Sequence, residues 1–226
     1  VGVVDGWVGL MKCVLFSFAI LFLTCGVSAL DFQETKKLAD GGDKIAQYNL
    51  GWIYANGRGV TQDYKEAVTW YRKAAQQGEA MAQANLGVMY MNGTGVTQDY
   101  KEAVKWFKMS IEQGEAVAQT NLGLMYANGR GVPQDYSEAF KWFRIAALQG
   151  NAMAQSNLGV LIAKGKGVPE DYIKAYAWLF IAKFNGQKLA EENLNILKSI
   201  LTEEQIAESL SLSREIYRQI EANKIA

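Results

Sequence analysis

The chain of 226 residues has no histidine, only two cysteines, and no net charge, because its 23 basic and 23 acidic side chains cancel. Without histidine there is no imidazole for acid–base work or metal ligation near neutral pH. Both cysteines, Cys13 and Cys25, fall in the first thirty residues. The remaining chain therefore offers no thiol nucleophile, no ordinary zinc site and no disulfide. Charge neutrality removes the electrostatic argument for nucleic acid or an anionic membrane surface as partner.

What the sequence does contain is a repeat. A 36-residue unit occurs four times in register, at residues 43–78, 79–114, 115–150 and 151–186, with no insertion between copies. A fixed period of this length marks an array of supersecondary units, so the fold follows from one unit. Each unit reads as two helices. The first stops at an Asn-Gly-x-Gly-Val turn, as at residues 56–60, 92–96 and 128–132, where glycine supplies the left-handed conformation that closes a helix. The second starts at Asp63, Asp99, Asp135 or Asp171, whose carboxylate can accept the free N–H groups of the first turn. Glu66, Glu102 and Glu138 lie three residues on and complete a capping box, whereas the fourth copy has Lys174 there.

Gly51, Gly87, Gly123 and Gly159 recur in the middle of the first helices, where glycine costs about 1 kcal/mol relative to alanine. An unfavourable choice made four times implies that a neighbouring helix passes too close for a side chain. Leu50, Ile53, Tyr54, Val68 and Tyr71 supply bulk at helical spacing, with Ala46, Ala67 and Ala74 between them. One such hairpin cannot bury its apolar side alone, so neighbouring units must stack.

The pattern A-x-Q-x-N-L-G-x-x-Y-x-N-G-x-G-V-x-Q-D-Y-x-x-A-x-x-W-x-x-x-A-x-x-G, read at residues 46–78 and in the later copies, resembles the Sel1-like repeat. The resemblance implies an all-α fold: an α/α solenoid, a right-handed superhelix of helix-turn-helix repeats related to tetratricopeptide arrays. It further implies a non-enzymatic adaptor for protein partners. The fourth copy departs, with Ile162 in place of the tyrosine and Lys164 in place of the asparagine, as expected of a terminal unit. The cysteine pairs that staple the repeats of some secreted relatives are absent.

Ahead of the repeats, Lys12 followed by the apolar run 13–23 and by Val27-Ser28-Ala29 reads as a secretory signal over residues 11–29. Residues 1–10 then read as upstream translation. The apolar run is shorter than the roughly 20 residues of a membrane span, so cleavage is expected rather than anchoring, leaving no span in the mature chain. Export to a periplasm or out of a bacterial cell follows. Residues 30–42 form a short helix that covers the open end of the first repeat. Residues 187–226 form capping helices: one over 188–201 with Leu189, Asn193, Ile196, Leu197 and Ile200 along one side, and a last one opened by a Thr202/Gln205 capping box.

The recurrent glutamates sit at capping positions on successive helices about 8–10 Å apart and line up rather than converge, which argues against a carboxylate pair. The Gly-x-Gly turns lack the strand and third glycine of a nucleotide loop. No cofactor or metal site is read, and Asn92-Gly93-Thr94 is taken as turn chemistry rather than a glycosylation site. Function is expected on a surface. Positions 6, 10 and 13 of each unit vary while their neighbours do not, and with position 3 they share one helical side. They give a candidate concave binding strip: Tyr48, Trp52, Ala55, Ala84, Val88, Met91, Thr120, Leu124, Ala127, Ser156 and Val160. An uncharged strip bearing methionine and aromatic residues suits an extended segment or the apolar side of a helix. Trp52 is either an anchor of this strip or packing beneath the N-terminal helix. Arg58, Thr94, Arg130 and Lys166 in the turns form a second candidate edge, read as solvated. The reading is a monomeric, non-enzymatic scaffold for a protein or peptide, the alternative being an envelope module that binds or hydrolyses glycan or peptide.

Overall fold

A computed structural model of the chain describes residues 32–225. The secretory signal expected over residues 11–29, the residues before it and both cysteines lie outside the described residues. Among the described residues there are eleven helices and no strand. Contacts divide the chain into two compact units that part between Glu79 and Ala80.

The first unit holds α1 (residues 32–40), α2 (Lys44–Asn56) and α3 (Tyr64–Gln76). Asp43 caps α2 by accepting from the Ala46 N–H at 2.7 Å, and Gly57 closes it in the left-handed conformation at φ 64°. Its core is Ala39, Ala46, Leu50 and Trp70, with Phe32 of α1 set edge-on against Tyr54 of α2, ring centroids 6.0 Å apart. Buried Gln47 binds the three helix ends together: its amide donates to the Ala39 carbonyl at 3.1 Å and its oxygen accepts from Gln77 at 2.8 Å.

The second unit is built from three hairpins, α4 (Ala80–Asn92) with α5 (Tyr100–Ile111), α6 (Ala116–Asn128) with α7 (Tyr136–Leu148), and α8 (Ala152–Ala163) with α9 (Tyr172–Phe184). They stack through α5 against α6 and α7 against α8. Two further helices, α10 (Ala190–Lys198) and α11 (Glu203–Ile225), lie on α9. The close approach expected at the mid-helix glycines is present in every hairpin. A Cβ on Gly51 would stand 2.7 Å from the Tyr71 ring, on Gly87 2.6 Å from Phe107, on Gly123 2.7 Å from Phe143, and on Gly159 2.7 Å from Leu179. The turns join neighbours: a Cβ on Gly131 or Gly167 would collide with the carbonyl of Tyr100 or Tyr136 in the preceding hairpin.

Two local expectations need correction. Asp63, Asp99 and Asp135 do accept the N–H groups two and three residues on, at 2.8–3.1 Å. The reciprocal half of the capping box does not form, because the N–H of each aspartate already donates to the carbonyl of Tyr54, Tyr90 or Tyr126 at the end of the preceding helix. Glu102 and Glu138 turn instead to Lys105 and Lys141 on their own helices. The box at Thr202 and Gln205 is complete in both directions, at 3.0 and 3.2 Å. The second correction concerns α10, which is shorter than residues 188–201. It buries Ala190, Leu194 and Leu197 against the core and leaves Leu189, Ile196 and Ile200 exposed, so the apolar residues that seemed to share one side divide between two.

Two substitutions test this packing. Gly123→Ala should lower unfolding free energy by about 1–3 kcal/mol through overpacking against Phe143, although alanine is the better helix former. A gain of stability in urea unfolding would show that ring contact is not why glycine stands there. Gln155→Leu removes a fully buried amide that donates to the Ala147 carbonyl at 3.1 Å and accepts from Asn185 at 2.9 Å. The orphaned groups should cost about 1–3 kcal/mol in the same assay.

Candidate interaction site

The variable positions of the first helices do not share one environment. Position 3 of each unit, Ile45, Met81, Val117 and Met153, is about half exposed. Position 10 and position 13 of the second unit, Val88 and Met91, Leu124 and Ala127, Val160 and Ala163, are half-buried at the margins of the core clusters. Position 6 is different. Ala84, Thr120 and Ser156 are buried, and the Thr120 hydroxyl donates to the Ala116 carbonyl one turn back at 2.7 Å. These three side chains are packing and not contact surface. Their variation among the copies reflects local volume, which a pattern of variable positions alone does not separate from exposure.

In the first unit Tyr48 is half-buried and stands against Tyr71, with centroids 5.8 Å apart, and Ala55 is half-buried near the end of α2. Trp52 is 40% exposed, with the Arg58 guanidinium 5.3 Å from its ring centroid. The N-terminal helix does not cover it: Phe32 and Ala39 of α1 pack on Leu50, Tyr54 and Trp70 instead. Trp52 is therefore available to a partner, partly shielded by a cation at its ring.

The turn cations of the second unit are engaged in packing. Arg130 lies 5.5 Å from the Tyr100 ring, and Lys166 lies 4.5 Å from the Tyr136 ring while its ammonium donates to the Tyr136 hydroxyl at 3.0 Å. Each reaches from one hairpin onto the start of the preceding second helix, so this edge is an internal joint as much as a surface.

The strip gains residues that the repeat pattern could not contain. At its carboxyl end in the second unit, Val160 and Ala163 of α8 open into a hollow of about 240 Å³. Ile196 of α10 and Ile200 in the turn after it form its far wall, 55% and 52% exposed, with Tyr172 at the start of α9 beside them. The neighbouring Glu170 carboxylate accepts a hydrogen bond from the Tyr172 hydroxyl and holds its proton above the usual phenol range. Two isoleucines four residues apart, one on α10 and one just after it, were visible in the sequence. Grouped along one side with Leu197, which is buried, they did not stand apart in the sequence.

Burial pushes the Asp171 carboxyl up, but hydrogen bonds from the side chain and backbone of Lys174 outweigh it and leave the group below the ordinary carboxylate range. Its work is to cap α9. Among the described residues no cluster of three or more acidic, histidine or cysteine side chains is placed to hold a metal ion, and no helix is long and apolar enough to cross a membrane.

The Sel1 repeat family model matches residues 44–79, 80–115, 116–151 and 152–183. Among solved structures, one similar protein is a protective antigen present in uropathogenic Escherichia coli strains, which displays an SLR fold. It is 37% identical with a TM-score of 0.78, over 84% of this chain and 41% of that one. The chain thus spans less than half the length of that protein. A second is a Sel1 repeat protein from Oxalobacter formigenes, 34% identical with a TM-score of 0.69, covering 81% of this chain and 78% of the other. Comparison with curated proteins returns no match. Four tandem repeat matches, carried on glycine-spaced hairpins that superpose on two proteins of this kind, settle the kinship: the chain belongs to the Sel1 repeat family.

Proposed function

We propose that this protein is an exported, non-catalytic scaffold that holds a segment of a partner protein against the apolar strip of its first helices. The fold is one that typically mediates protein interaction. The observation that carries the site is the hollow between α8, α9 and α10, where Ile196 and Ile200 stand exposed beside Val160 and Ala163. Isolated exposed apolar residues need no explanation, but a concave, uncharged group of this kind suits the apolar anchors of an extended segment or an amphipathic helix. Val88, Met91, Leu124 and Ala127 lie at matching positions of the preceding hairpins and lengthen the contact. In the first unit Trp52 supplies an anchor of its own, since exposed aromatics often dominate interface energy. The mature chain acts as a monomer.

The non-catalytic part of this reading rests on the family, whose repeats generally serve as protein-interaction scaffolds. Two of the recurrent glutamates, Glu102 and Glu138, are paired with lysines on their own helices rather than directed at a substrate. Export is supported by the basic, apolar and small-residue succession at Lys12, residues 13–23 and residues 27–29. The Escherichia coli relative's standing as a protective antigen agrees with it.

Two experiments test the proposal. Immobilised protein should capture a partner from envelope or secreted fractions, and Ile196→Asp/Ile200→Asp should weaken that capture at least tenfold while leaving the melting temperature near wild type, because both side chains are exposed. Trp52→Ala run alongside reports on the first unit. Equal capture by all three proteins would remove the strip from the account. Expressed in a bacterial host from Met11, the chain should be recovered from the envelope or medium with Leu30 as its first residue by amino-terminal sequencing. Recovery of the intact leader in the cytoplasm would overturn the export reading.

A further inference from the structure

A second surface, on the opposite helices of the last hairpin, owes nothing to the strip. Position 30 of the repeat is Arg72, Lys108 and Arg144 in the first three copies and Phe180 in the fourth. Position 34 is Gln76, Glu112, Leu148 and then Phe184. A side of the second helix that carries a cation in three copies thus becomes aromatic only in the copy that packs most extensively against α11. Packing against α11 accounts for part of the change. Phe184 stands edge-on to Tyr217 with centroids 5.6 Å apart, and Ser209 and Ser213 are buried on α11. It does not account for the rest, because Phe184 remains 71% exposed and Phe180 37%.

Between α9 and α11 these rings border a trough of about 310 Å³ whose floor is apolar and which no acidic residue lines. Arg214 and Arg218, one helical turn apart, stand on its α11 side. Both are exposed, and neither has a carboxylate within 4 Å among the described residues. An open aromatic trough beside two unneutralised guanidiniums, in a chain of zero net charge, is complementary to a ligand that is apolar and anionic at once. The trough is too open to enclose a lipid chain on most sides, as sites for small apolar ligands do.

We infer that the α9–α11 trough is a second docking site, which takes an acidic amphipathic segment of a partner protein. One or two of the segment's large apolar side chains rest on Phe180, Phe184 and Tyr217. Carboxylates about one helical turn apart meet Arg214 and Arg218. The site is independent of the strip proposed above, since it shares no residue with it.

The test uses the full chain and a labelled synthetic helical peptide carrying phenylalanine and leucine four residues apart, each flanked by glutamate. Binding is followed by fluorescence anisotropy at low and high salt. The wild type should bind the peptide, and Arg214→Glu/Arg218→Glu should weaken binding at least tenfold with unchanged helical content and melting. Phe184→Ser should weaken it comparably. A peptide with glutamine in place of glutamate should bind at least tenfold more weakly, and added salt should erode the difference. Ile196→Asp/Ile200→Asp should bind the peptide as the wild type does, so failure of the strip and failure of the trough give different results. No binding, or equal binding by the arginine variant, overturns the proposal. Binding of oleate or phosphatidylglycerol vesicles in place of the peptide overturns it in favour of a lipid ligand.

Discussion

Every hairpin of this protein closes on one steric constraint, the absence of a side chain at the middle of its first helix. Tyr71, Phe107, Phe143 and Leu179 each fill the space that a Cβ would take on Gly51, Gly87, Gly123 or Gly159. The helices of a pair therefore approach along their length, and small residues such as Ala67, Ala103, Ala139 and Ala175 become fully buried beside them. Interiors packed at this density leave little slack.

A second contact fixes the ends of the helices. Gln47, Gln83, Gln119 and Gln155 are buried, and each accepts from the amide of Gln77, Gln113, Gln149 or Asn185 thirty residues later. Gln47 and Gln155 also donate to a carbonyl at the end of the helix before them. A buried amide satisfied on both its donor and acceptor atoms orients three chain segments at once, which an apolar residue of the same size does not do.

The period, the helix pairs, the glycine approach and the aspartate caps were legible in the sequence because each is a local rule repeated four times, so chance agreement is excluded by recurrence. The glutamine role was not, although the residue stands in every copy, because a polar residue at helical spacing reads as exposed until its partner thirty residues away is known. Thr120 and Ser156 failed in the same direction: small polar side chains that vary among copies resemble a binding surface, yet hydrogen bonding within the helix lets Thr120 sit inside. The capping residues were hardest to place. Ile196 and Ile200 lie outside the repeats, so no comparison among equivalent helices could show that they point outward, whereas Phe180 and Phe184 stand where the earlier copies carry Arg72, Lys108 and Arg144 or Gln76, Glu112 and Leu148. Those single-copy residues form the walls of both hollows at the carboxyl end, which is where the molecule departs from its own periodicity.

The joint between successive hairpins has a genetic consequence. Gly131 and Arg130 of one turn seat against Tyr100, and Gly167 and Lys166 of the next seat against Tyr136 in the same manner. Within the second compact unit, the α6–α7 hairpin thus carries both a plug for the hairpin before it and a socket for the hairpin after it. Unequal recombination that duplicates or deletes a block of whole units would join two compatible surfaces without inventing an interface. Array length could then change by whole units without disturbing the rings of Phe180 and Phe184 or the exposed Ile196 and Ile200.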